Sequence, residues 1–217
     1  MPARTVTAIL LLAFMPAICA KPKNWEPSIK AFEAKDKTTP PPENLILFIG
    51  SSSIRGWNLK KSFPDLPALN RGFGGSELSD SINYFDRIVL PYKPRAILLY
   101  AGDNDINNGE SSAQVVADYK TFAAKVRAEL PNTHFAFLPI KPSLKRWQLW
   151  PGMRSANEAI RKLSEKDPHL HYLDTATPMF GKDGKPMPNL FKEDGLHLTE
   201  IGYALWNKVI APWLKAL

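Results

Sequence analysis

Two uninterrupted apolar runs, Leu45-Ile46-Leu47-Phe48-Ile49 and Ala96-Ile97-Leu98-Leu99-Tyr100, constrain this chain more than any other feature. A five-residue run with no polar position has no face to turn to water. It suits a strand covered on both sides, the habit of parallel sheets. Phe135–Leu138 and Leu170–Leu173 read as two more strands, and Pro67–Asn70 as a short one. Between them lie helical patterns. Ser76–Leu90 places Leu78, Ile82, Phe85, Ile88 and Val89 near a 3.6-residue period. Ser111 or Ser112 can cap a helix that runs to Leu130 and stops at Pro131. Met153–Lys166 and Thr199–Leu214 complete the set. Alternating strands and helices predict an α/β fold with a central parallel sheet and helices on both faces, with residues 45–217 forming one domain. Ligands in such sheets sit at the carboxyl ends of the strands. Ser52, Gly75, Asn104 and the segment from Pro139 to Arg154 each follow a predicted strand and should gather at one edge.

The ends of the chain read differently. Residues 1–20 have a basic start at Arg4, an apolar run from Ala8 to Met15, and Ala17-Ile18-Cys19-Ala20 after Pro16. That is the pattern of a secretory signal peptide cleaved after Ala20, so the protein is expected to be exported, periplasmic or secreted. A lipid anchor on Cys19 is the alternative. Residues 21–44 form a preamble in which Trp25–Lys37 could be a short amphipathic helix, closed by Pro40-Pro41-Pro42. Cys19 is the only cysteine, which excludes a thiol nucleophile, thiolate metal sites and disulfides from the mature chain. The net charge of +7 falls to +6 without Arg4. That excess permits weak association with an anionic envelope surface, and an ordinary soluble basic surface would look the same. No nucleic-acid motif is present.

Four short segments carry chemistry. Ser52 follows the first strand at a turn toward a helix, where a hydroxyl can attack if a base takes its proton. Its neighbours Ser51 and Ser53 could equally be turn and cap residues. Asp194 lies three residues before His197, so its carboxylate can fold back onto Nδ1 and orient the ring. An Asp-Gly turn with an incidental histidine gives the same letters. Gly74-Gly75 lets backbone approach a ligand closely, or simply turns a strand into a helix. Asn104 offers an amide donor in a loop that could also be turn chemistry. Asp103 and Asp105 flank it without the spacing of a calcium loop, so no metal is expected. His134, His169 and His171 lie beside or within predicted strands, where a structural role is expected.

The order Gly-x-Ser, Gly, Gly-x-Asn, Asp-x-x-His resembles the SGNH hydrolases, also called the GDSL esterase family. The resemblance spans Leu45 to the final helix. It implies a flavodoxin-like three-layer α/β/α sandwich and a serine esterase needing no cofactor. By motif, Ser52 resembles the nucleophile, and His197 and Asp194 the base and its partner. The backbone of Ser52 and Gly75 and the side chain of Asn104 look like the oxyanion donors. One letter departs: the family's first block usually has Asp before the serine, and here it is Ser51.

The segment Lys141–Arg154 should overhang this site. Trp147, Trp150 and Arg154 could form a substrate wall, with tryptophan faces for a sugar or apolar group and cations for an anionic one. Tryptophans packed down on the core are the alternative. The expected substrate is a small acyl ester or an O-acetylated glycan. A non-catalytic module holding envelope glycan or a protein partner on the same fold is the competing reading.

Overall fold

The computed structural model describes residues 24–217, and the expected signal peptide and the Cys19 anchor lie outside these residues. Five strands form one sheet: β1 (Ile46–Gly50), β2 (Ala68–Gly72), β3 (Ala96–Tyr100), β4 (His134–Phe137) and β5 (Leu170–Tyr172). The order is β2-β1-β3-β4-β5 and every neighbouring pair is parallel. That is the flavodoxin-like doubly wound order, whose switch point lies between β1 and β3.

The apolar runs are divided between two cores by the period of two that all strands share. Leu47 and Ile49 of β1, Ile97 and Leu99 of β3, and Phe135 and Phe137 of β4 point into one core. Ile46, Phe48, Leu98, Tyr100 and Ala136 point into the other. The first core is closed by α1 (Glu26–Thr38), α4 (Leu78–Asn83), α5 (Phe85–Ile88), α7 (Ser112–Glu129) and α8 (Trp150–Ser164). The second is closed by α2 (Ser52–Arg55), α3 (Leu59–Ser62) and α9 (Glu200–Ala216), with Trp206 fully buried at its centre. The chain is a three-layer α/β/α sandwich. Burying an aliphatic or aromatic side chain of these cores contributes about 1.5–3 kcal/mol.

Two helices differ from their patterns. The single helix read over Ser76–Leu90 is broken at Tyr84, whose ψ of 7° turns α4 into α5. The Tyr84 ring turns edge-on to Phe73, 6.3 Å away, so a tertiary contact overrides the local period. Helix α8 starts at Trp150, ahead of Met153, because Pro151 falls in its first turn, where a missing N–H is harmless.

Helix α1 is clasped to the domain. Ile29 enters the first core, and Trp25 meets Phe73 edge-on at 5.6 Å. Arg87 is gripped by Glu26 at 2.8 Å and Glu33 at 2.7 Å, and these pairings hold both carboxyls below the usual range. Buried Arg71 of β2 pairs with Asp36, donates to the Tyr92 hydroxyl at 2.8 Å, and lies under the Phe32 ring.

Candidate active site

Strand β1 delivers its last residue, Gly50, into a conformation only glycine holds easily. Its φ is +136°, and a Cβ there would stand 1.9 Å from the Tyr100 carbonyl oxygen of β3. The chain then turns at once into α2, so Ser52 opens that helix, half-buried at the carboxyl edge of the sheet. Tyr203 of α9 donates its hydroxyl to the Ser53 carbonyl at 2.8 Å and fixes the turn from the opposite side.

The base arrives from the loop before α9. Thr199 caps that helix by accepting from the Gly202 N–H at 3.3 Å, and an isolated bridge between Phe191 and Leu198 closes the loop base. Within the loop, Asp194 Oδ1 accepts from the backbone N–H groups of Leu196 and His197, both at 2.9 Å. Its Oδ2 meets His197 Nδ1 at 2.5 Å. The hydrogen bonds from His197, side chain first, hold the Asp194 carboxyl far below the usual carboxylate range. The other ring nitrogen, Nε2, lies 3.1 Å from Ser52 Oγ. Two segments 145 residues apart in sequence thus place a hydroxyl, an imidazole and a carboxylate in line.

The loops after β2 and β3 complete the edge. Gly75 has φ +84° in the turn that precedes α4, and that turn is tied to β1 by the Phe73 N–H donating to Gly50 O at 2.9 Å. Helix α6 (Asp103–Asn107) begins directly after Gly102, at φ +111°. Asn104 donates one amide hydrogen to Ser76 O at 2.8 Å, and its Oδ1 accepts from Arg146 at 3.0 Å. Arginine only donates and a carbonyl only accepts, so these two partners together dictate which way the amide faces. One amide hydrogen of Asn104 remains after the bond to Ser76. Asp105 staples the two loops: its carboxylate accepts from the Leu78 N–H at 2.7 Å and the Gly102 N–H at 3.0 Å. Burial pushes the Asp105 carboxyl up to about 7.

The first part of the segment after β4 braces the loops of the site. Lys141 is buried, with Nζ at 2.9 Å from the Tyr100 hydroxyl, 3.1 Å from Ser53 Oγ and 3.3 Å from Asp103. Desolvation lowers its ammonium pKa, against the attraction of Asp103. Arg146 pairs with the same carboxylate at 3.3 Å. The loop also reaches the base, because the Lys145 N–H donates to Gly195 O at 3.0 Å. The sequence offered Lys141 and Arg146, among the cations of this segment, as partners for an anionic ligand. Their partners are Ser53, Asp103 and Asn104, and the one available signal was that Asp103 needs a counter-charge if its loop is buried. Trp147 and Trp150 stack on each other at 6.3 Å with Phe180 edge-on to both. Arg154 is exposed on α8 and meets Glu158 at 3.6 Å. Trp150 and Arg154 line a cleft that touches none of Ser52, Asp194 or His197.

The other histidines cluster at the far side of the sheet, where His134 Nδ1 and His171 Nε2 are 3.1 Å apart. Among the described residues, one acidic group has metal-like spacing: Asp105, Glu110 and Asp118, within 4.8 Å of one another. Asp105 already accepts from Leu78 and Gly102 and Asp118 from Gln114, whereas Glu110 Oε2 is buried with no hydrogen-bond partner.

A hydroxyl against an imidazole against a carboxylate, at the carboxyl edge of a flavodoxin-like sheet, is the arrangement that serine-dependent acyl transfer requires. The family model for GDSL-like lipases and acylhydrolases matches residues 48–205, and the chain belongs to that family. No curated protein sequence matches it. Among solved structures, a Streptococcus pneumonia protein provisionally named as a platelet activating factor is similar, with TM-score 0.78 and 20% identity over 87% of this chain and 92% of that one. A GDSL-like lipase from Bacteroides thetaiotaomicron superposes with TM-score 0.76 and 20% identity, over 87% and 98% of the two chains. An acetylxylan esterase from Geobacillus stearothermophilus gives TM-score 0.63 and 13% identity, over 78% and 93%. Likenesses at these identities speak for the fold.

Proposed function

We propose that this protein is an exported serine ester hydrolase that removes small acyl groups, foremost acetyl, from carbohydrate or short-chain lipid. The observation that carries the reading is the line Ser52 Oγ, His197 Nε2 at 3.1 Å, and His197 Nδ1 with Asp194 at 2.5 Å. Ser52 attacks the ester carbonyl while His197 takes its proton on Nε2, and Asp194 stabilises the resulting imidazolium. The backbone N–H groups of Ser52 and Gly75 and the remaining amide hydrogen of Asn104 receive the oxyanion. Each such donor is worth ~10²–10³ in rate because it acts where charge develops. His197 then protonates the leaving alcohol, and water repeats the sequence on the acyl-enzyme. The steps need no metal or organic cofactor. The sequence contains no long apolar insertion to act as a lid, which favours short acyl chains. Export rests on the pattern of residues 1–20 and is checked by N-terminal sequencing of the mature protein, expected to begin at Lys21.

Ser52→Ala should abolish hydrolysis of p-nitrophenyl acetate and labelling by a fluorophosphonate probe, with the circular dichroism spectrum unchanged. Unaltered turnover in that variant would remove the nucleophile assignment. A wild-type protein that takes no label and yet retains glycan would be the non-catalytic module instead.

A further inference from the structure

A concavity opens at the carboxyl end of β5. It is a cleft of about 560 Å³ between α8 and the segment that follows β5. Trp150, Tyr172 and Phe180 give it aromatic surface, and Arg154, Glu158 and Asp174 give it donors and acceptors.

Three properties narrow what it can hold. The first is the aromatic corner: Trp150 and Phe180 meet at 61° with centroids 5.4 Å apart, offering apolar faces in two directions. The second is loosely committed polarity. Arg154 meets Glu158 only at 3.6 Å and Arg161, which also lines the cleft, meets Glu165 at 3.7 Å, and all four side chains are more than half exposed. Pairs of that kind contribute little and can exchange a partner for a ligand hydroxyl. The third is charge balance. Arg154 and Arg161 are matched by Glu158 and Asp174 within the same lining, so an anionic ligand gains no net attraction. A fatty acyl chain gains little either, since charged groups share the walls. A neutral ring with one apolar face and a rim of hydroxyls satisfies all three, and a sugar is such a ring.

Position supplies the rest. Strands β1 and β5 are three steps apart in the sheet, roughly 14 Å at the usual spacing of neighbouring strands. The segment after β4 lies between them: Arg146 meets Asn104 at 3.0 Å, and Trp147 stacks on Trp150, which lines the cleft. A ligand that reaches both ends must be extended.

We propose that this cleft is a glycan subsite. The substrate is then an O-acetylated oligo- or polysaccharide whose backbone runs from the cleft, across Trp147, to an acetyl group at Ser52. The Ser52 end rests on the esterase reading above; the cleft end does not.

Two measurements separate the ends. Affinity electrophoresis through gels holding xylan, glucomannan or glycol chitin reads binding without turnover. Initial rates on acetylated mono- to hexasaccharides of the same glycans, beside p-nitrophenyl acetate, read the coupling to Ser52. Retardation by at least one glycan is expected, with kcat/KM rising about tenfold or more with chain length, the worth of one well-placed ring contact. The double variant Glu158→Ala/Arg161→Ala changes two exposed side chains, and Phe180→Ala removes one face of the corner. Each should lose retardation and the gain with length, and keep p-nitrophenyl acetate turnover within about twofold, since neither touches the triad. Absence of retardation by every glycan, or a length gain that survives in both variants, overturns the subsite. A wild-type protein inert to p-nitrophenyl acetate, with retardation still lost in the variants, would remove the esterase reading and leave the glycan site in place.

Discussion

On the function proposed above, Arg146 governs a reaction it does not enter. It fixes the Asn104 amide by occupying Oδ1, and it is itself held by Asp103. In Arg146→Met the amide loses one of the two partners that set its direction. Steady-state kinetics on p-nitrophenyl acetate should show kcat reduced about 10- to 100-fold with KM within about twofold, a fraction of the worth of a whole oxyanion donor. Arg146→Lys should recover part of the loss. A variant that raises KM and spares kcat would mean instead that Arg146 binds substrate. That Ser52, Asp194 and His197 would meet was legible in the sequence because each sits in a short block with a fixed spacing. Arg146 and Lys141 were not, because their partners lie some forty or more residues away and only the fold brings them together. Burial was the unknown: the same letters on an exposed loop would have been ligand-seeking cations.

Among the elements, α1 depends on one buried cation. Removing Asp36 leaves Arg71, at 2% exposure, without its carboxylate, so Asp36→Ala should cost about 3–5 kcal/mol in urea unfolding. The α6–α7 junction depends on pH. Burial raises the Glu110 carboxyl, with Asp118 adding to it, and neighbouring Asp105 stands at about 7. The folded state therefore holds these protons more tightly than the unfolded chain. Stability contributed there is full below about pH 4, and declines as pH rises through the raised values, toward about 7 for Asp105. Glu110→Gln should raise the thermal midpoint at pH 8 and change it little at pH 4; each kcal/mol recovered is worth ~2–4 °C in a domain of this size. The inner strands were readable because β1 up to Gly50, β3, and β4 after His134 are solid apolar runs. The break at Tyr84 was not, since Phe73 makes it from a different part of the chain.

For the whole molecule, the basic balance, +7 for the full sequence and +6 without residues 1–20, predicts salt-sensitive adhesion to anionic surfaces. Cosedimentation with vesicles containing phosphatidylglycerol should fall as ionic strength rises from about 0.02 to 0.2 M, where the screening length shortens to under 10 Å. Binding that ignores salt would point to apolar insertion instead. The three-layer order was foreseeable from alternation alone, because a parallel strand needs a crossover and a crossover of this length is a helix. Trp150 and Arg154 were expected to face a ligand, but the cleft they line was not foreseeable: its other walls come from further along α8 and from residues 172–184, which share no motif.

The short loop between Lys141 and Arg146 touches both halves of the reactive edge, through Gly195 on one side and Asn104 on the other. The loop that carries His197 and the amide of Asn104 are thereby set on a common mount. Lengthening or shortening that stretch would displace the two at once, whereas residues from Trp147 outward can be exchanged with the mount undisturbed. New substrate preferences in chains of this design are therefore most readily acquired beyond Arg146.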